Sequence, residues 1–201
     1  MATDDTRTAM DWEARFSADE TPWERPGLHP AFLDWRRSGA FGPGDRVIVP
    51  GCGRSPELTG FAGIGLNVVG ADLSATAIAF QRATLDAGAL DAELIEGDVL
   101  RQRFETPFDL VYEQTFLCAI PPRLRPEYEA AVHDWLKPGG RLLALFMQKE
   151  ERGGPPYGCS MEAMRELFPE ERWVWPDSAP TAYPHPSLNG KPELGLILLR
   201  R

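Results

Sequence analysis

The chain has few cysteines: Cys52, Cys118 and Cys159 are far apart, and no two share the spacing of a zinc site or a redox pair. No metal is therefore expected. It also lacks any apolar run near the ~20 residues needed to cross a bilayer, and it is short of positive charge. Against 30 aspartates and glutamates there are 21 lysines and arginines, a net charge of −9. Binding phosphate backbones takes clustered positive charge, so neither nucleic acid nor an anionic membrane surface is an expected partner. Repeats and low-complexity tracts are absent. The acidic start, Met1-Ala2-Thr3-Asp4-Asp5, has none of the pattern of a secretory signal, which makes a cytoplasmic location the expectation. What remains is a composition with 43% hydrophobic residues over 201 positions, enough for one core. One domain over residues 1–201 is expected, acting as a monomer on a small-molecule substrate.

The first forty residues concentrate aromatics: Trp12, Phe16, Trp23, Phe32, Trp35 and Phe41. Trp12 and Phe16 are four apart and share one face of a short helix, which Thr21-Pro22-Trp23 breaks. A second helix begins near His29-Pro30. From residue 45 the pattern changes. Val47-Ile48-Val49 reads as a buried strand running into Pro50-Gly51-Cys52-Gly53. A helix from about Pro56 carries Leu58, Phe61 and Ala62, and Leu66 to Asp72 is a second strand. Ser74 caps a helix to about Leu85. Ala92 to Ile95, Phe108 to Tyr112 and Leu142 to Met147 are further strands. A helix bearing Leu124, Tyr128, Val132 and Trp135 is stopped by Lys137-Pro138-Gly139-Gly140. Two late strands, Trp173 to Trp175 and Leu194 to Leu199, flank a proline-rich connection. Strands alternating with helices predict an α/β fold: a doubly wound, mostly parallel seven-stranded sheet over 45–201, preceded by a helical lid over 1–40.

Gly51 and Gly53 lie at the carboxyl end of the first strand, where the chain turns and a ligand can approach its backbone. Asp72 ends the second strand 21 residues after Gly51, the spacing of an acid that takes ribose hydroxyls. A turn or helix-capping aspartate is the alternative. The segment Arg54-Ser55-Pro56 supplies no third glycine, and Glu57 at the following helix start repels phosphate, so a dinucleotide fits poorly. S-adenosylmethionine carries no phosphate, and its sulfonium suits an acidic, aromatic setting. Glu96-Gly97-Asp98 supplies a further acidic loop for the adenine.

Five stretches carry a resemblance. They are Trp12-Glu13-Ala14-Arg15-Phe16 with Thr21-Pro22-Trp23; Val49-Pro50-Gly51-Cys52-Gly53; Val68 to Ser74; Phe108 to Ile120; and Gly153-Gly154-Pro155-Pro156-Tyr157. Through them the chain resembles the thiopurine S-methyltransferase family of S-adenosylmethionine-dependent methyltransferases, which act on thiopurines, thiols and halides. The resemblance implies a class I methyltransferase fold with S-adenosylmethionine as methyl donor and S-adenosylhomocysteine as product. It also implies that Trp12, Phe16 and Trp23 close over the donor, Gly51 lines its methionine end, Asp72 its ribose, and Asp98 with Val99 its adenine. Glu113 and Gln114 are placed beside the methionine end and the substrate, and Tyr157 near the substrate. Against this, Trp12 and Trp23 read equally as a hydrophobic clasp on the domain surface, and Tyr157 as packing under its loop. The tail Ala182-Tyr183-Pro184-His185-Pro186 departs from the family pattern and bears on the acceptor.

The expected reaction is transfer of a methyl group to a thiol or similarly soft nucleophile. A thiol of pKa ~8.5 is already partly thiolate at neutral pH and needs placing more than it needs a base. O- or N-methylation, with His185 or Glu113 as base, is the alternative within enzymes. A non-catalytic binding module for the same donor is the alternative outside them.

Overall fold

A computed structural model describes residues 10–186 and 188–201; residues 1–9 of the expected lid, and the Met1–Asp5 start, lie outside it. Strands β1 (Arg46–Pro50), β2 (Asn67–Asp72), β3 (Glu93–Glu96), β4 (Phe108–Gln114) and β5 (Leu136–Met147) pair in parallel in the order β3-β2-β1-β4-β5. Beyond β5 the sheet turns antiparallel with β8 (Pro192–Arg200), which carries both β6 (Trp173–Val174) and β7 (Thr181–Pro184) on its far side. Order β2-β1-β4 reverses the winding at β1, so the carboxyl ends of β1 and β4 splay apart into a crevice, the usual ligand position in such sheets.

The two faces follow from strand alternation. Val47 and Val49 of β1, Leu110 and Tyr112 of β4, and Leu143 and Leu145 of β5 point to one side. There they meet α2 (Pro30–Arg37), α3 (Glu57–Ile64) and α4 (Ala75–Ala87). Ile48, Val111, Leu142, Ala144 and Phe146 point to the other, covered by α5 (Arg125–Trp135) and α6 (Met161–Leu167). On the first face Phe61 stands between Phe32, Phe41 and Tyr112, with ring centroids at 4.8, 4.9 and 5.3 Å. These rings pin α2, and with it the N-terminal segment, to the sheet.

The structure adds to the expected pattern in four places. The described residues form eight strands, not seven; β7 lies in the proline-rich connection, an edge position where proline is tolerated. Only Tyr183 of its four residues is buried, so its apolar signal is slight. Strand β5 begins at Leu136, paired with Phe108, before the register shifts by Leu110. The helix does stop there, but the Lys137–Gly140 stretch already runs along the sheet. Strand β3 lies one residue later than expected, and α6 carried no expectation.

Replacing Phe61 with alanine is expected to cost ~3–5 kcal/mol of stability, the range for a buried phenylalanine, measured by urea unfolding.

Candidate active site

Three short-range features shape the crevice. At the end of β1, Gly51 (φ 57°) and Gly53 (φ 47°) take left-handed conformations that other residues adopt at a cost. A Cβ on Gly51 would lie 2.4 Å from the Phe116 ring, and one on Gly53 would lie 3.0 Å from that of Phe16. The turn is held from below: Gln81 of α4 donates to the carbonyls of Gly53 and Ser55, both at 2.9 Å. It is held from the side by Asp72, which accepts from Gly53 N at 2.8 Å and Ser74 N at 2.9 Å. Burial pushes the Asp72 carboxyl up to about 6, against the opposing pull of these backbone hydrogen bonds.

The N-terminal segment is fastened over this turn. Helix α1 (Trp12–Ser17) is too short to persist alone. Its Glu13 accepts from Ser74 Oγ (2.6 Å), Thr76 Oγ1 (2.6 Å) and Thr76 N (3.1 Å) at the start of α4. Those hydrogen bonds hold its pKa down at about 2. From the turn itself, Arg54 reaches back to Glu24 (2.7 Å), Asp19 (2.6 Å) and Thr21 (2.7 Å). Between the two fastenings, Trp23 meets Trp12 and Phe16 edge-on, with centroids at 5.7 and 6.0 Å.

Beneath these rings is a cavity of about 830 Å³, a size that suits a small-molecule ligand. Trp12, Phe16, Trp23, Gly51, Gly53, Asp72, Asp98, Val99 and Gln114 all line it. Its β3 end holds Asp98, whose carboxylate caps Leu100 N at 3.0 Å. Its β4 end holds Gln114, Thr115, Phe116, Ala119 and Ile120. Thr115 has φ 63°, a strained turn of the kind that gathers at ligand sites.

A model of the family described as thiopurine S-methyltransferase matches residues 7–175. The chain belongs to that family. A probable thiol methyltransferase of Arabidopsis thaliana is 34% identical over 162 residues, 78% of this chain and 70% of that one. The thiopurine S-methyltransferase of Vibrio cholerae is 30% identical, covering 92% of this chain and 91% of its own. In fold, the 1,6-didemethyltoxoflavin-N1-methyltransferase of Burkholderia thailandensis superposes with a TM-score of 0.73 at 16% identity, over 95% of this chain and 85% of that one. The protein is accordingly a methyltransferase on a mostly parallel α/β sheet.

Two residues that the thiopurine S-methyltransferase resemblance puts at the site are not among those lining the cavity. Glu113 faces the opposite core, where its carboxylate accepts from Tyr128 Oη at 2.5 Å and Leu117 N at 2.8 Å. Burial pushes its pKa up to about 7 despite those bonds. Alternation along β4 sends Glu113 to the face that Gln114 avoids. Tyr157 is half-buried, its backbone N–H on Cys118 O at 2.7 Å, so its loop abuts the one after β4 without opening onto the cavity. His185 is buried away from the cavity, and neither His29 nor His133 lines it. Cys52 is buried beneath the glycine turn, a filler that burial keeps protonated.

Sequence reasoning missed Glu13, Arg54, Gln81 and Arg25. Glu13 and Arg54 carry a signal only in retrospect: an acid on the aromatic helix and a base where a third glycine would stand.

Replacing Glu13 with alanine should speed hydrogen exchange of amides 11–24 at pH 7 while leaving the strands protected. Because folding lowers this carboxyl's pKa, its contribution is complete above the ordinary carboxylate range and fades only as pH falls toward about 2. The wild-type segment should therefore keep its protection down to about pH 4.

Proposed function

We propose that this chain transfers the methyl group of S-adenosylmethionine to a thiol or similarly soft small nucleophile. The observation carrying this reading is the β4 end of the cavity. Its walls are an amide, a hydroxyl, a ring and two aliphatic side chains (Gln114, Thr115, Phe116, Ala119 and Ile120), with no imidazole among them. An acceptor hydroxyl or amine needs a base at that point, and His185 and Glu113 both point elsewhere. A soft nucleophile needs a dry wall and a fixed angle, which these side chains supply.

The donor fits the residues present. Its ribose hydroxyls would meet the buried Asp72, which has acceptor capacity beyond its two backbone hydrogen bonds. Asp98 and Val99 would flank the adenine, and the close backbone of Gly51 and Gly53 the methionine end. Trp12, Phe16 and Trp23 would roof it. A phosphate-bearing ligand fits worse: Arg54, the base at the glycine turn, is already engaged by Asp19, Glu24 and Thr21. Bound there, S-adenosylmethionine supplies a methyl carbon made electrophilic by its sulfonium.

The chain's own contribution is position and dryness. Asp72 and the glycine turn set the depth of the donor, because both belong to strands whose register is fixed by the sheet. Tyr112 Oη donates to Gln114 Oε1 at 2.9 Å, which orients that amide and leaves its N–H groups for the cavity. Phe116, stacked against Gly51, keeps water from the line of attack. Alignment of this kind contributes ~7–11 kcal/mol to bimolecular reactions. Tyr157, one loop behind, supports the wall near the acceptor.

The reading is tested by incubating the protein with S-adenosylmethionine and a panel of thiols, hydrosulfide, thiocyanate and iodide, with S-adenosylhomocysteine release as readout. Turnover on at least one soft acceptor is expected; binding of the donor without turnover on any would replace an enzyme with a binding module. Replacing Asp72 with alanine should weaken S-adenosylhomocysteine binding by ~1.5–3 kcal/mol in calorimetry. The wild-type affinity should fall in the same direction as pH drops below about 6, where Asp72 takes up its proton. Replacing His185 with alanine should leave kcat within about threefold of wild type; a drop of hundreds-fold at constant KM would favour oxygen or nitrogen as acceptor.

A further inference from the structure

A second polar cluster lies at the start of β8. Glu193 is buried at the start of β8, opposite Met147 at the carboxyl end of β5. Its Oε2 accepts from His29 Nε2 at 3.1 Å and from Arg25 Nη2 at 2.8 Å. His29 Nδ1 accepts from Ala31 N at 3.0 Å, which leaves Nε2 facing Glu193. Arg25 supplies the positive charge opposite the Glu193 carboxylate. The same Nη2 also donates to Pro184 O at 2.8 Å.

Arg25 therefore has one corner of its guanidinium pinned twice. Among the described residues, its Nη1 and Nε donate to no protein group, and neither is a buried atom lacking a partner. Arg25 itself lines the cavity. Of the other arginines on that wall, Arg54 is engaged at the glycine turn and Arg101 pairs with Asp98 at the β3 end.

We propose that Arg25 is the binding residue for an anionic acceptor, a monovalent soft anion such as thiocyanate, hydrosulfide, iodide or a thiolate; this rests on the soft-acceptor reading above. The free edge of the guanidinium presents its N–H donors to an anion in the cavity that Arg25 lines, and Glu193 with the Pro184 carbonyl acts as a positioning pair that holds the edge in place. Guanidinium is weakly hydrated and always charged, which suits a large, polarisable anion that must shed water before it reacts. Paired with Glu193, Arg25 offers the anion N–H donors without net positive charge, a modest attraction in a protein of net charge −9. Nothing covalent happens at Arg25: the anion's lone pair forms the new bond to the methyl carbon, the carbon–sulfur bond of the sulfonium breaks, and its electrons stay on the departing thioether.

The test uses the full chain saturated with S-adenosylhomocysteine and titrated with sodium thiocyanate by calorimetry at constant ionic strength. Arg25→Gln should weaken thiocyanate binding at least tenfold while the affinity for S-adenosylhomocysteine changes less than twofold. Because that variant leaves Glu193 without its counter-charge, Arg25→Gln/Glu193→Gln is measured beside it and should show the same loss. Glu193→Gln alone should tighten thiocyanate, since it unmasks the positive charge; a purely structural pair predicts weaker or unchanged binding. Unchanged thiocyanate affinity in the folded double variant overturns the inference, as does the absence of thiocyanate binding to the wild-type complex. Lack of methyl transfer to every thiol and anion tried would instead remove the soft-acceptor reading itself.

Discussion

The carboxylate of Asp72 accepts two backbone N–H groups that come from different crossings of the sheet, Gly53 after β1 and Ser74 at the start of α4. One side chain thereby sets the distance between the glycine turn and the helix it faces. Burying a charge is costly unless hydrogen bonds compensate it, and burial does push its pKa up to about 6. A group kept in that condition at a cavity wall is a candidate for ligand binding. The turn, the helix start and the cavity floor all depend on this one contact.

On top of it the stretch before α2 is held by polar hooks as well as by apolar packing. Phe16 is buried, but Trp12 and Trp23 are only partly covered. The hooks are Glu13 on α4 and Arg54 on the 19–24 loop, one from each side of the roof. Polar contacts near the surface are individually weak, and a roof fastened by a few of them can open without unfolding the sheet. An active site that must admit a donor and an acceptor requires that property.

The loop after β4 links the two cores. Glu113 fixes it from the α5 side through Leu117 N, while Phe116 and Gln114 present it to the cavity. On the other side the Arg25–Glu193 pair ties the N-terminal segment to β8. The cavity wall is thus framed by elements distant in sequence.

Much of this was legible in residue order alone. Local patterns decide local structure: β-branched runs ending in glycine, Ser74 before an apolar helix, and an acid 21 residues after Gly51 were sufficient to place β1, β2, α4 and the glycine turn beside the cavity. The aromatic segment, with its quoted motifs, pointed to the roof. Strand β7 stayed hidden because an edge strand with one buried residue has almost no periodic signal. Glu113 and Gln114 are adjacent in the chain, and only the pleat of β4 sends one into the α5 core and the other into the cavity. The partners of Glu13, Arg54 and Arg25 were equally unreadable. Glu13 and Ser74 are 61 positions apart, and Arg25 and Glu193 are 168 apart. Which charges meet over such distances is settled by how helices and strands pack, so local sequence marked the elements that frame the crevice and the tertiary structure decided which side chains face into it.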